Sequence, residues 1–480
     1  MAISGKLLGI PYWQSKNKTN GESNLIMKTF HLILANSLIA FVTNNFVWFA
    51  VTFWVYLETK SVIATSVMAG IFTLTIAFSG FFLGSLVDRY PKKNVMLLSS
   101  FASLVLYAIA GFIFVTTPYE VFRDASSVQL WVFIVLALVG AIVGNLRAIA
   151  LSTLVTILVH EDERDKANGL VGTANGVAFL GASIFSGLAI GYLGMFWVLA
   201  IAVVMSLLVI AHLSTLAIPD LPKRVRHAHD GEPEHEHEHD HEGVDVRGTI
   251  RAIRLVPGLF GLIFFHTFNN FLGGIFMSLM DAYGLLLVSV QVWGFLWGVL
   301  SLGFIVGGMV VAKKGLGKNP LRTLFLANIV MWSICSVFTL QASIVLLAIG
   351  MFVWLCLIPA VEAAEQTILQ KVVEPERQGR VFGFAQSVEQ AASPITAFLI
   401  GPVAQLIFIP FMTTGTGADT IGSWFGTGTD RGLALLFTVA GLIGLGVTLF
   451  AMRSNAYRAL SNRYENEAQE QEDLAEPSLA

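Results

Sequence analysis

Three glutamates stand inside long apolar stretches of this chain, where a charged side chain has little water to solvate it. Glu362 and Glu365 are three residues apart in one stretch, and Glu389 lies in the next. A separation of three puts two side chains on the same face of a helix. Two such carboxylates cannot both carry charge cheaply in a low-dielectric surrounding, so the pattern favours reversible protonation. We predict that Glu362, Glu365 and Glu389 exchange protons; simple hydration near the helix end is the alternative for Glu365.

Two further apolar stretches carry neutral polar side chains. Asn44 and Asn45 are adjacent in the first stretch, and His266 stands close to Asn269 and Asn270 in a later one. Side chains of this kind can bind a small molecule in a cavity between helices. They can equally hydrogen-bond one helix to another. The sequence leaves both interpretations open for all five residues.

A histidine-rich run occupies the longest polar insertion of the chain. Its letters HEHEH match the zinc-protease pattern HExxH only as text, because that pattern requires a stable helix and a third ligand. Alternating His and carboxylate side chains do bind Zn²⁺ or Ni²⁺, so regulatory or incidental metal binding is expected here, and no resident cofactor otherwise. The apolar stretches show no cluster of His and acidic residues that would coordinate a bare ion. The candidate metal ligands are His227, His229, His235, His237, His239 and His241.

The elements that position these residues are long apolar segments. Hydrophobic residues make up 55% of the 480 residues and charged residues 13%, against about a quarter charged in a soluble domain. A helix needs roughly 20 apolar residues to span a bilayer. The predicted fold class is therefore an all-α integral membrane protein with twelve transmembrane helices. The predicted spans are 30–56, 65–87, 95–116, 129–151, 169–191, 195–217, 257–280, 290–311, 321–341, 344–366, 381–408 and 432–452.

Basic residues lie mostly on one side of the predicted membrane. When alternate connections are assigned to one side, all of the 29 Lys and Arg residues except Lys60, Arg123 and Arg431 fall on the side of the N-terminus. Cytoplasmic loops carry this excess, so both termini are expected in the cytoplasm, below a plasma (inner) membrane. The net charge of −3 does not indicate nucleic-acid binding, which favours a basic protein. The expected partners are the lipid bilayer, a small-molecule substrate and protons, and the chain is expected to be monomeric.

The predicted spans divide into two pseudo-symmetric halves of six helices. The letters TIL at 156–158 recur at 367–369, and a charged loop follows each copy. Two such repeats around a central cavity are typical of transporters. The connection 409–431, on the side away from the termini, is rich in Gly and Thr and is expected to be an irregular loop. The predicted regions are an N-terminal lead 1–29, a first bundle 30–217, a His-rich linker 218–250, a second bundle 251–455 and an acidic tail 456–480.

The second span ends in a motif of glycine, acid and base at 84–93, with the sequence GSLVDRYPKK. It resembles the loop signature of the major facilitator superfamily, with Lys for Arg in its basic tail. In that family the Asp meets the start of the eleventh helix, here near Gly383, and an Arg of the fourth helix, here Arg147. The resemblance implies a latch that holds the cytoplasmic side closed; a purely structural turn is the alternative. The predicted latch residues are Gly84, Asp88, Arg89, Lys92, Lys93, Arg147 and Gly383.

Two later loops, ANGL at 167–170 and ERQGRVFG at 376–383, resemble those of the macrolide- and siderophore-exporter branch of this superfamily. The resemblance implies a drug:proton antiporter that exports amphipathic organic compounds by alternating access. The chain carries no ATP-binding P-loop, so a gradient would drive transport, and no enzyme activity is expected. The second hypothesis is an exporter of divalent metals or metal chelates that uses the histidine run. A non-transporting membrane sensor or scaffold is the third.

Overall fold

The computed structural model describes four stretches of the chain, with backbone alone at several helix ends, and every regular element in them is a helix. The stretches are 20–159, 164–218, 246–373 and 375–462. The first half contains α1 (Asn20–Thr59), α2 (Val62–Arg89), α3 (Lys92–Thr116), α4 (Val128–Ile142), α5 (Gly144–Leu158), α6 (Arg164–Tyr192) and α7 (Met195–Thr215). The second half contains α8 (Val246–Leu255), α9 (Leu259–Leu287), α10 (Val290–Lys314), α11 (Pro320–Val337), α12 (Ile344–Val372), α13 (Pro375–Val403), α14 (Ile409–Thr413), α15 (Thr416–Thr420), α16 (Gly422–Phe425) and α17 (Thr429–Arg453).

Each of the twelve predicted spans coincides with a helix. Among the described residues, eleven helical stretches are long and apolar enough to cross a bilayer, with α4 and α5 counted as one span. The twelfth, α2, contributes a shorter apolar stretch, Val62–Ile76. The break between α4 and α5 is a single turn at Val143. The prediction of an all-α protein with twelve transmembrane helices is confirmed.

Several helices extend beyond the apolar segments that predicted them. α9 continues to Leu287, past the predicted end of its span at 280. Residues 455–462 are helical as well, and Leu460 in this stretch is only 1% exposed. Packed structure therefore continues past 455, where the second bundle was predicted to end. The reason is that hydropathy marks the end of an apolar surface, whereas the backbone hydrogen bonds of a helix continue through polar residues.

The connection 409–431 was predicted to be irregular, and that prediction was wrong, because α14, α15 and α16 occupy most of it. Arg431, which is 3% exposed, organises this segment. Its Nε donates to the Phe425 carbonyl at 2.7 Å, and its Nη2 donates to the carbonyls of Thr339 and Leu340 at 2.8 and 2.9 Å. A guanidinium has five N–H donors in a fixed fork, so one side chain fastens the connection to the end of α11. Composition alone does not reveal such a partner.

Successive spans alternate in direction, so each of them ends on one of two faces. We call the face where α1 begins and α17 ends the basic face, and the opposite one the distal face. The two halves meet through α6 with α10 and through α2 with α13. Near the distal face, a Cβ on Gly187 of α6 would lie 2.6 Å from the Val290 carbonyl oxygen and 3.0 Å from Cα of Gly294 on α10. The missing side chains thus let two backbones approach closely, as in other membrane helix pairs.

The second contact between the halves is also near the distal face. The Ser66 hydroxyl of α2 donates to the carbonyl of Ala397 on α13, and it accepts from the amide of Gly401 at 2.9 Å. A Cβ on Gly401 would lie 2.6 Å from Cβ of Ser66. A buried serine therefore binds two backbone groups of the other half. The α6–α10 and α2–α13 contacts thus bring the halves together on the distal side.

Toward the basic face the surfaces of α6 and α10 separate. Gly176 lies eleven residues before Gly187, close to three helical turns, so both face the same side of α6 about 16 Å apart. A Cβ on Gly176 would meet no atom of a described residue within 4 Å. On α10, Ile305 likewise lies eleven residues from Gly294, in the direction of the basic face, and its side chain is 50% exposed. Among the described residues, the space between α6 and α10 is therefore open toward the basic face.

We expect Gly187→Val to weaken the distal contact between the halves, whereas Gly176→Val leaves it intact. Overpacking of this kind costs about 1–3 kcal/mol, and separation of α6 from α10 relieves it. The measurement is the labelling of a cysteine placed at Ser66, which is 0% exposed, by a membrane-impermeant maleimide added at the distal face. The background lacks Cys335 and Cys356. Faster labelling in Gly187→Val alone is the expected result; equal labelling in both variants would show that this contact does not close the distal side.

Candidate functional site

The helices α9, α12 and α13 bring three ionisable side chains together. Nδ1 of His266 lies 3.0 Å from Oε2 of Glu365. One donor atom from each of His266, Glu365 and Glu389 lies within 4.8 Å of those of the other two. Their exposed fractions are 7%, 8% and 9%. We call these three residues the triad; the structure thus joins a residue predicted to line the cavity with two predicted to exchange protons.

Two atoms of the triad have no hydrogen-bond partner among the described residues, Nε2 of His266 and Oε1 of Glu389. A buried polar atom without a partner costs about 1–3 kcal/mol, so such atoms persist mainly where a proton, a water molecule or a ligand can bind. His266 lies seven residues after the start of α9 at Leu259, and Glu365 seven residues before the end of α12 at Val372. Both are thus about 10 Å along their helices from the basic face.

The polar neighbours of the triad have different roles. Nδ2 of Asn270 donates to the Glu389 carbonyl at 3.4 Å, so it ties α9 to α13. Oδ1 of Asn269 accepts from Nε1 of Trp332 at 2.8 Å, while its Nδ2 has no partner within the described part of the chain. Glu362, predicted to share the proton-exchange role, is exposed and lies outside the triad. Its role stays a prediction.

The triad overturns one expectation from the sequence. The apolar stretches showed no cluster of His and acidic residues, yet His266, Glu365 and Glu389 form one. They belong to three helices that are far apart along the chain, and only the packing of these helices makes them neighbours. One imidazole and two carboxylates are also a donor set that transition-metal ions accept.

A second buried charge, Arg147, lies in the first half and is 1% exposed. Its Nη1 donates to Oδ1 of Asn36 at 2.7 Å, and its Nη2 donates to Oγ of Ser100 at 2.6 Å. These partners are neutral, and they come from α1 and α3. The guanidinium therefore holds three helices of the first half together through hydrogen bonds.

The predicted latch lies largely outside the described side chains. This is so for Asp88 and Arg89 and for the surroundings of Gly84 and Gly383. The pairing of Asp88 with Arg147 and with the start of α13 accordingly stays a prediction.

The basic tail of the motif is described. Nζ of Lys93 donates to the carbonyls of Ser214 and Leu216 at 3.0 and 2.6 Å, and the Lys92 ammonium donates to the Val87 carbonyl. Lysines near a helix C-terminus satisfy its last carbonyls and oppose its negative end. The tail therefore fastens the start of α3 to the ends of α7 and α2.

The contacts of Asn44 on α1 are of the helix-to-helix kind, whereas the role of Asn45 stays a prediction. Oδ1 of Asn44 accepts from the Tyr107 hydroxyl at 2.9 Å, and a Cβ on Gly144 would lie 2.0 Å from Asn44 Nδ2. Asn44 therefore packs between α1, α3 and α5. Asn45 is half-buried. The six histidines of the linker lie in 219–245, outside the described residues.

One intramembrane carboxylate escaped the sequence analysis. Nε1 of Trp293 and Nε1 of Trp297 donate to Oδ1 of Asp281 at 2.9 and 2.8 Å. A Cβ on Gly284 would lie 2.3 Å from the Trp293 ring, so this glycine lets the indole pack onto α9 one turn beyond the aspartate. The predicted span ended at 280 and left Asp281 outside. The apolar run that follows it to Leu287 is the signal that places it within the helix.

Comparison with known sequences supports this architecture. The model of the Major Facilitator Superfamily matches residues 32–397. Macrolide efflux protein A of Streptococcus pyogenes is 22% identical over 401 residues, which cover 81% of this chain and 92% of that protein. The family match thus covers most of the first half and reaches into α13 of the second.

Solved structures share the fold. The nucleoside transporter NupG matches with a TM-score of 0.64 and 13% identity, over 89% of this chain and 100% of that one. A bacterial homologue of the human lysosomal transporter Spinster, in an inward-facing and unoccupied conformation, matches with a TM-score of 0.59 and 14% identity, over 94% and 99%. At these identities the likeness shows the fold alone. With the family match over most of its length, this chain belongs to the major facilitator superfamily and is a membrane transporter rather than an enzyme.

Proposed function

We propose that this transporter exports amphipathic organic compounds in exchange for protons, and that the triad carries the proton. The observation that supports this most is the triad itself: His266, Glu365 and Glu389 are each less than a tenth exposed and retain two unpaired polar atoms among the described residues. An intramembrane group of this kind marks a proton or ion pathway in many transporters.

Charge balance explains why the triad suits one proton. With the imidazole protonated and both carboxylates ionised, the group carries a net charge of −1, and one added proton makes it neutral. A net charge in a low-dielectric helix bundle costs solvation free energy. The charged form of the triad therefore favours contact with water, and the neutral form favours burial. A proton taken up while the triad faces one side of the membrane can therefore be released when it faces the other.

The orientation of the chain gives this exchange a direction. The excess of Lys and Arg supports a cytoplasmic basic face in a plasma membrane, with both termini on that side. The opening between α6 and α10 then faces the cytoplasm, where an exporter takes up its substrate. In this state the triad, whose His266 and Glu365 lie about 10 Å along their helices from the basic face, would release its proton toward the cytoplasm as the substrate enters.

The proposed substrate class rests on sequence similarity. Macrolide efflux protein A matches over 81% of this chain, and amphipathic organic compounds with a large apolar body are the class that it suggests. Phenylalanines and tryptophans, 36 and 10 in number, would supply an adaptable apolar lining.

We expect Glu389→Gln to abolish proton movement coupled to an organic substrate and to leave the protein folded. The amide keeps the shape of the side chain and removes its exchangeable proton. Purified protein is reconstituted into liposomes that contain a pH-sensitive dye, a proton gradient is imposed, and macrolides, cationic dyes and siderophores are added in turn. Glu120→Gln, in an exposed carboxylate of the distal connection, is the matched control and should behave as wild type.

Unchanged coupling in Glu389→Gln and in Glu365→Gln would overturn the proposal. Glu362→Gln, measured in the same way, decides whether the exposed carboxylate of α12 belongs to the coupling group. Elution as a single species and an unchanged melting temperature show that each variant is folded.

A second candidate function is supported by the donor set of the triad. His266, Glu365 and Glu389 place a nitrogen and two carboxylate oxygens within 4.8 Å of one another, and tetrahedral Zn²⁺ accepts such ligands. In this alternative the chain exports a divalent metal or its chelate, and the histidine run at 227–241 collects the ion.

Metal transport makes a different prediction in the same liposomes. Zn²⁺ or Ni²⁺ alone should then move protons, and His266→Ala should abolish that response because it removes the only nitrogen ligand of the triad. If deletion of 227–241 abolishes the metal-triggered proton movement and His266→Ala does not, metal binding is assigned to the linker instead. If neither Zn²⁺ nor Ni²⁺ moves protons in the wild-type protein, metal export is excluded.

A further inference from the structure

Asp281 is an intramembrane carboxylate that the proposed proton site does not use. It lies six residues before the distal end of α9 at Leu287 and fifteen residues after His266, or about 22 Å along the helix. The triad and Asp281 are thus two separate acidic positions on one helix, one toward the basic face and one toward the distal face.

The side chain of Asp281 is held in place but not neutralised by the described residues. Both indole N–H groups donate to the same oxygen, Oδ1, which leaves Oδ2 available. The ion pairs of the described residues join Arg123 to Glu58 and His266 to Glu365, and Asp281 takes part in neither. Intramembrane carboxylates usually pair with a cation or face a cavity, so a cationic partner is the missing element here.

A chain of aromatic rings begins at this carboxylate and joins both halves. The rings of Trp293 and Trp297 are 6.0 Å apart edge to face, and Trp297 lies 6.4 Å from Phe49 of α1. Phe49 in turn meets Phe179 of α6 at 5.0 Å. The faces of Trp and Phe rings attract organic cations, by about 0.5–2 kcal/mol per ring.

We propose that Asp281, with Trp297 and Phe49, binds the positive centre of an organic cation, such as a protonated amine or a quaternary ammonium with an apolar body. This inference rests on the proposed export of amphipathic compounds, and it specifies that the compounds recognised carry a positive charge. A bare metal ion does not suit the position, because it needs several donor atoms and the indole nitrogens supply only N–H groups. An apolar cation suits it, because the carboxylate supplies the counter-charge and the rings supply contact area.

The position also explains how such a ligand would be sensed. Trp297 belongs to the second half and the buried Phe49 to the first, and their rings are in contact, so a ligand against Trp297 lies beside a contact between the two halves. Trp297 is adjacent to Gly298, where α10 packs against Ile184 of α6 in the distal contact. A ligand at Asp281 therefore lies where the halves must separate during alternating access.

The test is a binding measurement that needs no proton gradient. Tetraphenylphosphonium, a permanent cation at every pH, is titrated into purified full-length protein in detergent, and its Kd is measured by equilibrium dialysis. Triphenylphosphine oxide serves as the neutral probe of similar shape. We expect Asp281→Asn to raise the Kd of the cation by at least about tenfold, because it removes a partly desolvated counter-charge, and to leave the neutral probe unchanged.

Two variants accompany this measurement. Asp124→Asn removes an exposed carboxylate of the distal connection and should bind as wild type. Asp281→Glu restores the charge and should recover part of the affinity; if Asp281→Asn does not fold, Trp297→Leu, which removes a ring and an N–H donor, replaces it and should also weaken binding of the cation selectively.

The outcomes separate this inference from the proposed function. Equal affinity of Asp281→Asn and wild type for the cation, or no binding of the cation by wild type, overturns the inference. So does an equal loss of cation and neutral probe. Selective binding of the cation by a wild-type protein that shows no proton-coupled transport in liposomes would support Asp281 as the cation site and count against the proposed proton site alone.

Discussion

The free-energy cost of placing a charge inside an apolar helix bundle determines how the ionisable groups of this structure are surrounded. The triad, Arg147 and Asp281 are buried or half-buried ionisable groups, and each is accommodated differently. Arg147 is surrounded by neutral oxygens of its own half, which suits a fixed structural role. The triad pairs an imidazole with carboxylates, and Asp281 receives two indole N–H groups. The last two retain capacity for a proton or a cation, and function is proposed there.

The helix contacts explain how these positions can communicate. Glycines and a serine bring α6 to α10 and α2 to α13 at the distal side, while α6 and α10 separate toward the basic face. Asp281 lies beside the distal contact through Trp297, and the triad lies near the open side. Occupation of one position and protonation of the other would thus act on the same rocking motion, because α9 carries members of both.

Much of this architecture was predictable from the sequence, because span length and charge placement are imposed by the bilayer. The twelve helices, the all-α class and the motif at 84–93 were read from local patterns. The residues of the triad were predictable from the sequence, but their contact was not. Its glutamates were conspicuous in apolar segments, but their contact with His266 depends on how α9, α12 and α13 pack, which no local pattern records. Asp281 was missed because the predicted span ended at 280, one residue before it, whereas α9 continues to Leu287. The role of Arg431 was missed because its partners are backbone carbonyls, two of them distant in the chain.

The most direct test of the central claim counts protons at the moment of binding. Purified protein in weakly buffered detergent solution is mixed with a transported organic compound, and a pH indicator records the protons released. The account predicts release of about one proton per bound substrate in wild type, since one proton separates the neutral and charged forms of the triad, and none in Glu389→Gln. Binding without proton release in wild type, or equal release in Glu389→Gln, would contradict it.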